Sequence, residues 1–191
     1  MPALRVAVPS ASASLASVRR RRWTPWRAGA FLAGAAALLA GCSSGGTVAG
    51  TGASPPLSVD RSARTVHLLL VAAANGVNGG FNFDGAAKGA MTVTVPAGWR
   101  VEVTCENAST TLTHSCAVVT ASGRLAFPGA SVANATEGLA PGGEGSFSFV
   151  AARPGAYRVA CLVPGHEIAG MWDRLVVTAG GKPAIEGARA T

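Results

Sequence analysis

The chain has 191 residues, of which 49% are hydrophobic and 13% charged, and its formal net charge is +7. That length suits one domain or two, and high apolar content excludes disorder along the whole chain. The charge suggests a nucleic-acid or anionic-surface binder, but its distribution excludes nucleic acid. Residues 1–42 hold six arginines (Arg5, Arg19, Arg20, Arg21, Arg22 and Arg27) and no acid, leaving ten Lys and Arg against nine Asp and Glu in residues 43–191.

The basic stretch Arg19–Arg27 precedes thirteen apolar or small residues, Ala28–Ala40. A helix needs about 20 such residues to cross a bilayer, so the segment reads as a secretory signal. A short uncleaved anchor is the alternative, as is a signal cut elsewhere. Leu39-Ala40-Gly41-Cys42 resembles a bacterial lipobox. That resemblance implies lipidation at Cys42 and an exported, membrane-anchored lipoprotein facing the periplasm or the cell exterior. Residues 1–42 are therefore assigned to a lipoprotein signal peptide and residues 43–62 to a flexible Gly/Ser/Pro linker. Residues 63–180 form the folded domain, and 181–191 a C-terminal tail.

Short apolar runs separated by Gly and Pro turns then follow: Thr65–Ala73, Met91–Val95, Arg100–Cys105, His114–Thr120, Ser146–Ala151, Ala156–Leu162 and Arg174–Thr178. No convincing amphipathic helix intervenes. The spacing predicts an all-β Greek-key sandwich or barrel, with residues 121–145 as a crossover too long for a hairpin. Pro154-Gly155-Ala156-Tyr157 followed by Cys161 resembles a tyrosine corner. Alternation along Ala156–Leu162 puts Tyr157, Val159 and Cys161 inward and Arg158 and Ala160 outward.

The chemistry concentrates in Cys161-Leu-Val-Pro-Gly-His166-Glu-Ile-Ala-Gly-Met171, with His114 opening an earlier run. A lone Cys, His or Met is ordinarily core packing. A thiolate, two imidazoles and a thioether together are the ligands of a trigonal His₂Cys copper site with a weak axial Met. The thiolate and thioether favour Cu(I), and imidazoles suit both oxidation states.

The Cys161–Met171 loop resembles the C-terminal copper loop of cupredoxins of the sulfocyanin and rusticyanin type. Gly79-Gly80-Phe81-Asn82-Phe83-Asp84-Gly85 and Met91-Thr-Val-Thr-Val-Pro-Ala-Gly-Trp99 resemble sulfocyanin more closely, and the likeness covers roughly residues 64–180. It implies a cupredoxin-like β-sandwich with one type 1 copper ion, cycling between Cu(I) and Cu(II). His114, Cys161 and His166 would be equatorial ligands and Met171 axial, with Ser115 filling a place where many relatives have Asn. It further implies a monomeric carrier of single electrons, not an enzyme. Its partners would be respiratory redox proteins of the cytochrome or terminal-oxidase type, met through an apolar patch near His166 formed by Pro164, Ile168, Ala169 and Trp172. A copper-binding or delivery protein without electron transfer is the alternative.

Cys105 and Cys116 have no place in that ligand set. In an exported chain a disulfide is the expected arrangement. Free thiols remain open, as does a thiolate ligand giving a zinc or modified copper site. His67, Arg158 and Arg174 read as strand-face residues, and Glu167 as a solvated loop charge.

Overall fold

The computed structural model describes residues 56–187. Nine strands form in chain order: β1 (Leu57–Asp60), β2 (Thr65–Ala72), β3 (Thr92–Pro96), β4 (Arg100–Asn107), β5 (Ala117–Val119), β6 (Glu144–Val150), β7 (Gly155–Ala160), β8 (Trp172–Thr178) and β9 (Ala184–Glu186). No α-helix occurs among the described residues, and none of their helices is long and apolar enough to cross a membrane.

The strands make two mixed sheets, ordered β1-β2-β4-β6 and β5-β7-β8-β3-β9. β2 runs parallel to β4 within the first sheet and β3 parallel to β8 within the second, with β3 placed in the opposite sheet from the β2 and β4 that flank it in the chain. Period-two alternation places one face of each sheet inside. Val66, Leu68, Leu70, Val101, Val103 and Phe149 from the first sheet meet Val93, Val95, Val159, Leu175 and Val177 from the second. Between β6 and β7 the chain changes sheets, and there the Tyr157 hydroxyl donates to the Arg153 carbonyl at 3.0 Å. The backbone turning that corner thus gains a side-chain partner in place of the ladder it leaves.

Several boundaries differ from the sequence expectation. β1 lies within residues assigned to the linker, because Leu57 and Val59 alternate and pair antiparallel with Leu68 and Val66. β9 lies within the assigned tail and covers the free edge of β3. The strand expected over His114–Thr120 shrinks to Ala117–Val119, and His114 makes only an isolated bridge to Leu139. Here Cys116 and Val118 bond instead to the long crossover, through Val118 N–H to the Ala130 carbonyl (2.7 Å) and Val132 N–H to the Cys116 carbonyl (3.1 Å). Ala160 is buried rather than outward, in a second small cluster with Ala117 and Val119 beneath Leu162 and Trp172.

Candidate metal centre

The Cys161–Met171 loop joins the antiparallel ends of β7 and β8, where Ala160 pairs with Trp172. Its base closes through the Cys161 N–H and the Met171 carbonyl at 3.2 Å, and the Met171 N–H returns to the His166 carbonyl at 3.0 Å. Two tight turns follow from Val163 to His166 (3.1 Å) and from Glu167 to Gly170 (2.9 Å). They bring the His166 Nδ1 to 3.3 Å from the Cys161 Sγ. Gly170 has φ +100°, and a Cβ there would lie 2.7 Å from the Lys88 side chain and 3.2 Å from the Asn78 amide. Glycine both permits the turn and allows the neighbouring loop to approach.

His114 arrives from the far side, held by a reciprocal backbone pair with Leu139 (3.2 and 2.7 Å). Its Nδ1 lies 3.1 Å from the Met171 Sδ, and its ring centroid is 4.9 Å from that of His166. One donor atom from each of His114, Cys161 and His166 lies within 4.8 Å of the others, the only such group of three found among the described residues. His114, Cys161 and Met171 are fully buried, and His166 is half-buried. The four side chains singled out from the sequence therefore converge, although His114 comes from a different part of the chain.

Burial sets the protonation of the metal-free site. The His114 ring is pushed down to about 4, first by desolvation and then by the facing His166, whose own ring is lowered by desolvation. Both imidazoles are thus neutral at pH 7 with lone pairs to offer. Burial pushes the Cys161 thiol up, against opposing hydrogen bonds from Ser115 and the Val163 backbone. A metal must displace that proton, which couples its uptake to pH. Ser115 sits where its backbone N–H donates to the Cys161 Sγ at 3.2 Å, with its Oγ 3.6 Å from the same sulfur. Its Oγ also accepts the Leu162 N–H at 2.9 Å. The Ser115 hydroxyl therefore ties down the residue after the thiol.

Cys105 and Cys116 form a disulfide, which excludes either as a thiolate ligand. Cys161 is the free cysteine among the described residues. Cys42 lies outside them. His67 stands exposed on the first sheet with its Nδ1 3.2 Å from a Glu102 carboxylate oxygen, apart from the centre.

Other residues at the centre escaped the sequence reading. Phe81 meets the His166 ring edge-on at 4.9 Å and the His114 ring at 6.2 Å. The Asn78 amide donates to the carbonyls of Phe81 (2.8 Å) and Ala169 (2.9 Å), while Lys88 N–H bonds the Gly170 carbonyl (2.9 Å). The 77–90 segment thereby walls the copper-loop side of the site. On its other flank Arg158 pairs with Glu167 at 2.9 Å and stacks over Trp172 at 4.7 Å. Glu167 is thus engaged rather than simply solvated. The glycine-rich motif around Phe81 was visible in the sequence, but nothing local announces contacts 91 residues away.

The sulfocyanin (SoxE) domain matches residues 52–182, more than half of the chain and including β1. The chain belongs to the sulfocyanin family. No curated protein matches it. Among solved structures, this sulfocyanin is similar to the dithionite-reduced auracyanin of Roseiflexus castenholzii. That pair shares 25% identity over 59% of this chain and 96% of the other, with a TM-score of 0.41. Auracyanin A of Chloroflexus aurantiacus, described as a blue copper protein, shares 18% identity over 60% and 99% (TM-score 0.45). Reduced rusticyanin shares 23% over 60% and 80% (TM-score 0.45). The assignment rests on the domain match. Sulfocyanins are cupredoxins, so this chain belongs to the copper electron-transfer proteins and its cofactor is one type 1 copper ion. Two neutral imidazoles, a buried thiol and a thioether are the donor set that such an ion takes.

Proposed function

We propose that this sulfocyanin is a lipid-anchored, exported carrier of single electrons between extracytoplasmic or membrane respiratory redox partners. His114, Cys161, His166 and Met171 would hold the copper ion. The observation that carries this reading is the convergence of these four donors in a site where three of them are fully buried. Copper supplies a one-electron couple there. The protein's part is to hold the ligands in place and exclude water. His114 is positioned by its pairing with Leu139 in the long crossover, and the other three ligands by the loop between β7 and β8. Ser115 hydrogen bonds to the sulfur fix its orientation and tune its electron density. The Met171 thioether and apolar surroundings would favour a high reduction potential, because burial penalises the additional charge of Cu(II).

The partner face follows from exposure. Pro164 and Gly165 are exposed beside His166, and Ile168 is 94% exposed. Trp172, also counted in the expected patch, is half-buried beneath Arg158. An apolar face around the most accessible proposed ligand, flanked by the mutually neutralising Arg158–Glu167 pair, suits brief docking of a monomer to a redox protein of the cytochrome or terminal-oxidase type. Cys42 would supply the membrane anchor, and the residues before β1 the tether.

Visible and EPR spectra of the copper-loaded protein, with voltammetry, test this assignment. An intense thiolate-to-Cu(II) charge-transfer band, reversible one-electron voltammetry and slow loss of metal to a chelator are expected, with the band abolished in Cys161→Ser. A pale protein that yields copper readily would instead make it a copper-delivery module.

A further inference from the structure

Three of the proposed ligands share one loop, but His114 must be placed against them from elsewhere. The stretch that carries it, residues 108–116, lies between β4 and β5 and belongs to no strand. Its direct backbone support at His114 is the pair with Leu139, itself part of the irregular crossover. At its start, the Asn107 amide nitrogen lies 2.8–3.0 Å from the carbonyls of Leu112, Leu139 and Ala140. At its end stands the disulfide.

Cys105 is an inward residue of β4 in the first sheet, in register with Leu70 and Gly145. Cys116 immediately precedes β5 in the second sheet. The bond therefore joins the two sheets beside the metal centre, with both cysteines fully buried. Its sequence separation is only 11, and the ring it closes contains both His114 and Ser115. One is a proposed ligand, and the other hydrogen-bonds the thiol and the residue following it. A disulfide placed only to stabilise the fold would gain more from closing a long loop. This one closes a short loop around the two groups that must be held opposite the Cys161–Met171 loop.

We propose that the Cys105–Cys116 disulfide is a positioning element of the metal centre, fixing His114 and Ser115 against the ligand loop. This rests on the copper reading above. Without the bond, the 108–116 segment keeps only its hydrogen bonds and samples positions in which the His114 ring is withdrawn. The domain itself survives, since each sheet keeps its own strand ladders and the core between them retains its other apolar side chains.

The test is the double variant Cys105→Ala/Cys116→Ala, with Cys105→Val/Cys116→Ala as a second version that refills the core. In metal-free protein, amide exchange at Ser115 and Leu162 should accelerate about tenfold while amides of β2 and β8 keep their protection. In copper-loaded protein, release to a chelator should accelerate about tenfold, the size typical of losing support behind a ligand, and the Cu(II) EPR spectrum should change. A core variant remote from the site, Val95→Ala, should lower stability yet leave the EPR spectrum and release rate unaltered.

Double variants with wild-type EPR, release rate and exchange at Ser115 would overturn the proposal. Failure of both to fold would overturn it as well, because the domain is required to survive. Absence of a thiolate–copper band from the wild-type protein would sink the copper reading instead, a result distinguishable from either.

Discussion

Replacing Ser115 by Ala isolates one hydroxyl whose contacts are defined. The Oγ accepts the Leu162 N–H at 2.9 Å and lies 3.6 Å from the Cys161 Sγ. The first is a well-formed hydrogen bond, and the second is a longer, weaker contact to sulfur. The backbone donation from Ser115 to the sulfur, at 3.2 Å, is retained. The substitution therefore leaves a part-buried backbone donor without its partner. A net hydrogen bond is worth about 0.5–1.5 kcal/mol, and an abandoned buried donor costs about 1–3 kcal/mol. Leu162 is only half-buried, which puts the expected loss at the lower end, about 1–2 kcal/mol for the metal-free protein. For a domain of this size that lowers Tm by roughly 3–8 °C. The hydroxyl also helps hold the thiol pKa down against burial, so copper uptake at a fixed pH should slow. Thermal and urea unfolding of both metal-free proteins provide the assay. A change below about 0.5 kcal/mol, the size of a bland surface substitution, would show that the hydroxyl does not hold the loop.

Two other sites give distinct outcomes. Asp173 is fully buried, and its carboxyl is pushed up to about 6, chiefly by desolvation, although it accepts the Met91 N–H at 2.9 Å. A raised folded-state pKa means that ionisation penalises folding, so this residue's contribution to stability falls as pH rises from about 4 to about 6. His114 and His166, lowered in the fold, act in the opposite sense over much of that window. The readout is therefore the difference between variant and wild type. Asp173→Asn should gain relative to wild-type metal-free protein above pH 6, by at most about 3 kcal/mol, and lose that advantage below pH 4; a gain independent of pH in urea titrations would refute the assignment. Asn78→Gly removes the two amide bonds to Phe81 and Ala169 while easing the residue's positive φ of 50°. It should cost about 1–2 kcal/mol and speed metal loss to a chelator, and an unchanged release rate would show that this wall does not brace the copper loop.

The legible part of this protein was its local chemistry. Short apolar runs between Gly and Pro turns located seven of the strands, the alternating ones because a half-buried strand writes its burial into every second residue. β1 and β9 were missed because each is only three or four residues long and embedded in linker-like or tail-like composition. Ala160 was misplaced for a different reason: alternation predicts one buried face, and Trp172 covers the other.

The sequence alone displayed the donor types proposed as ligands and the spacing of three of them, since Cys161, His166 and Met171 share one short segment. The family resemblance pointed to His114 as the other imidazole, while His67 read as a strand-face residue. Only the tertiary structure decided that the His114 ring meets the Met171 sulfur, that Ser115 grips both the thiol and the residue after it, and that Phe81 and Asn78 wall the site. The same holds for the bond between Cys105 and Cys116 and for the ring it closes around His114 and Ser115. Ligand identity is a property of side-chain chemistry, which a sequence displays directly. Ligand geometry depends on how two sheets pack, a long-range relation that no local pattern encodes.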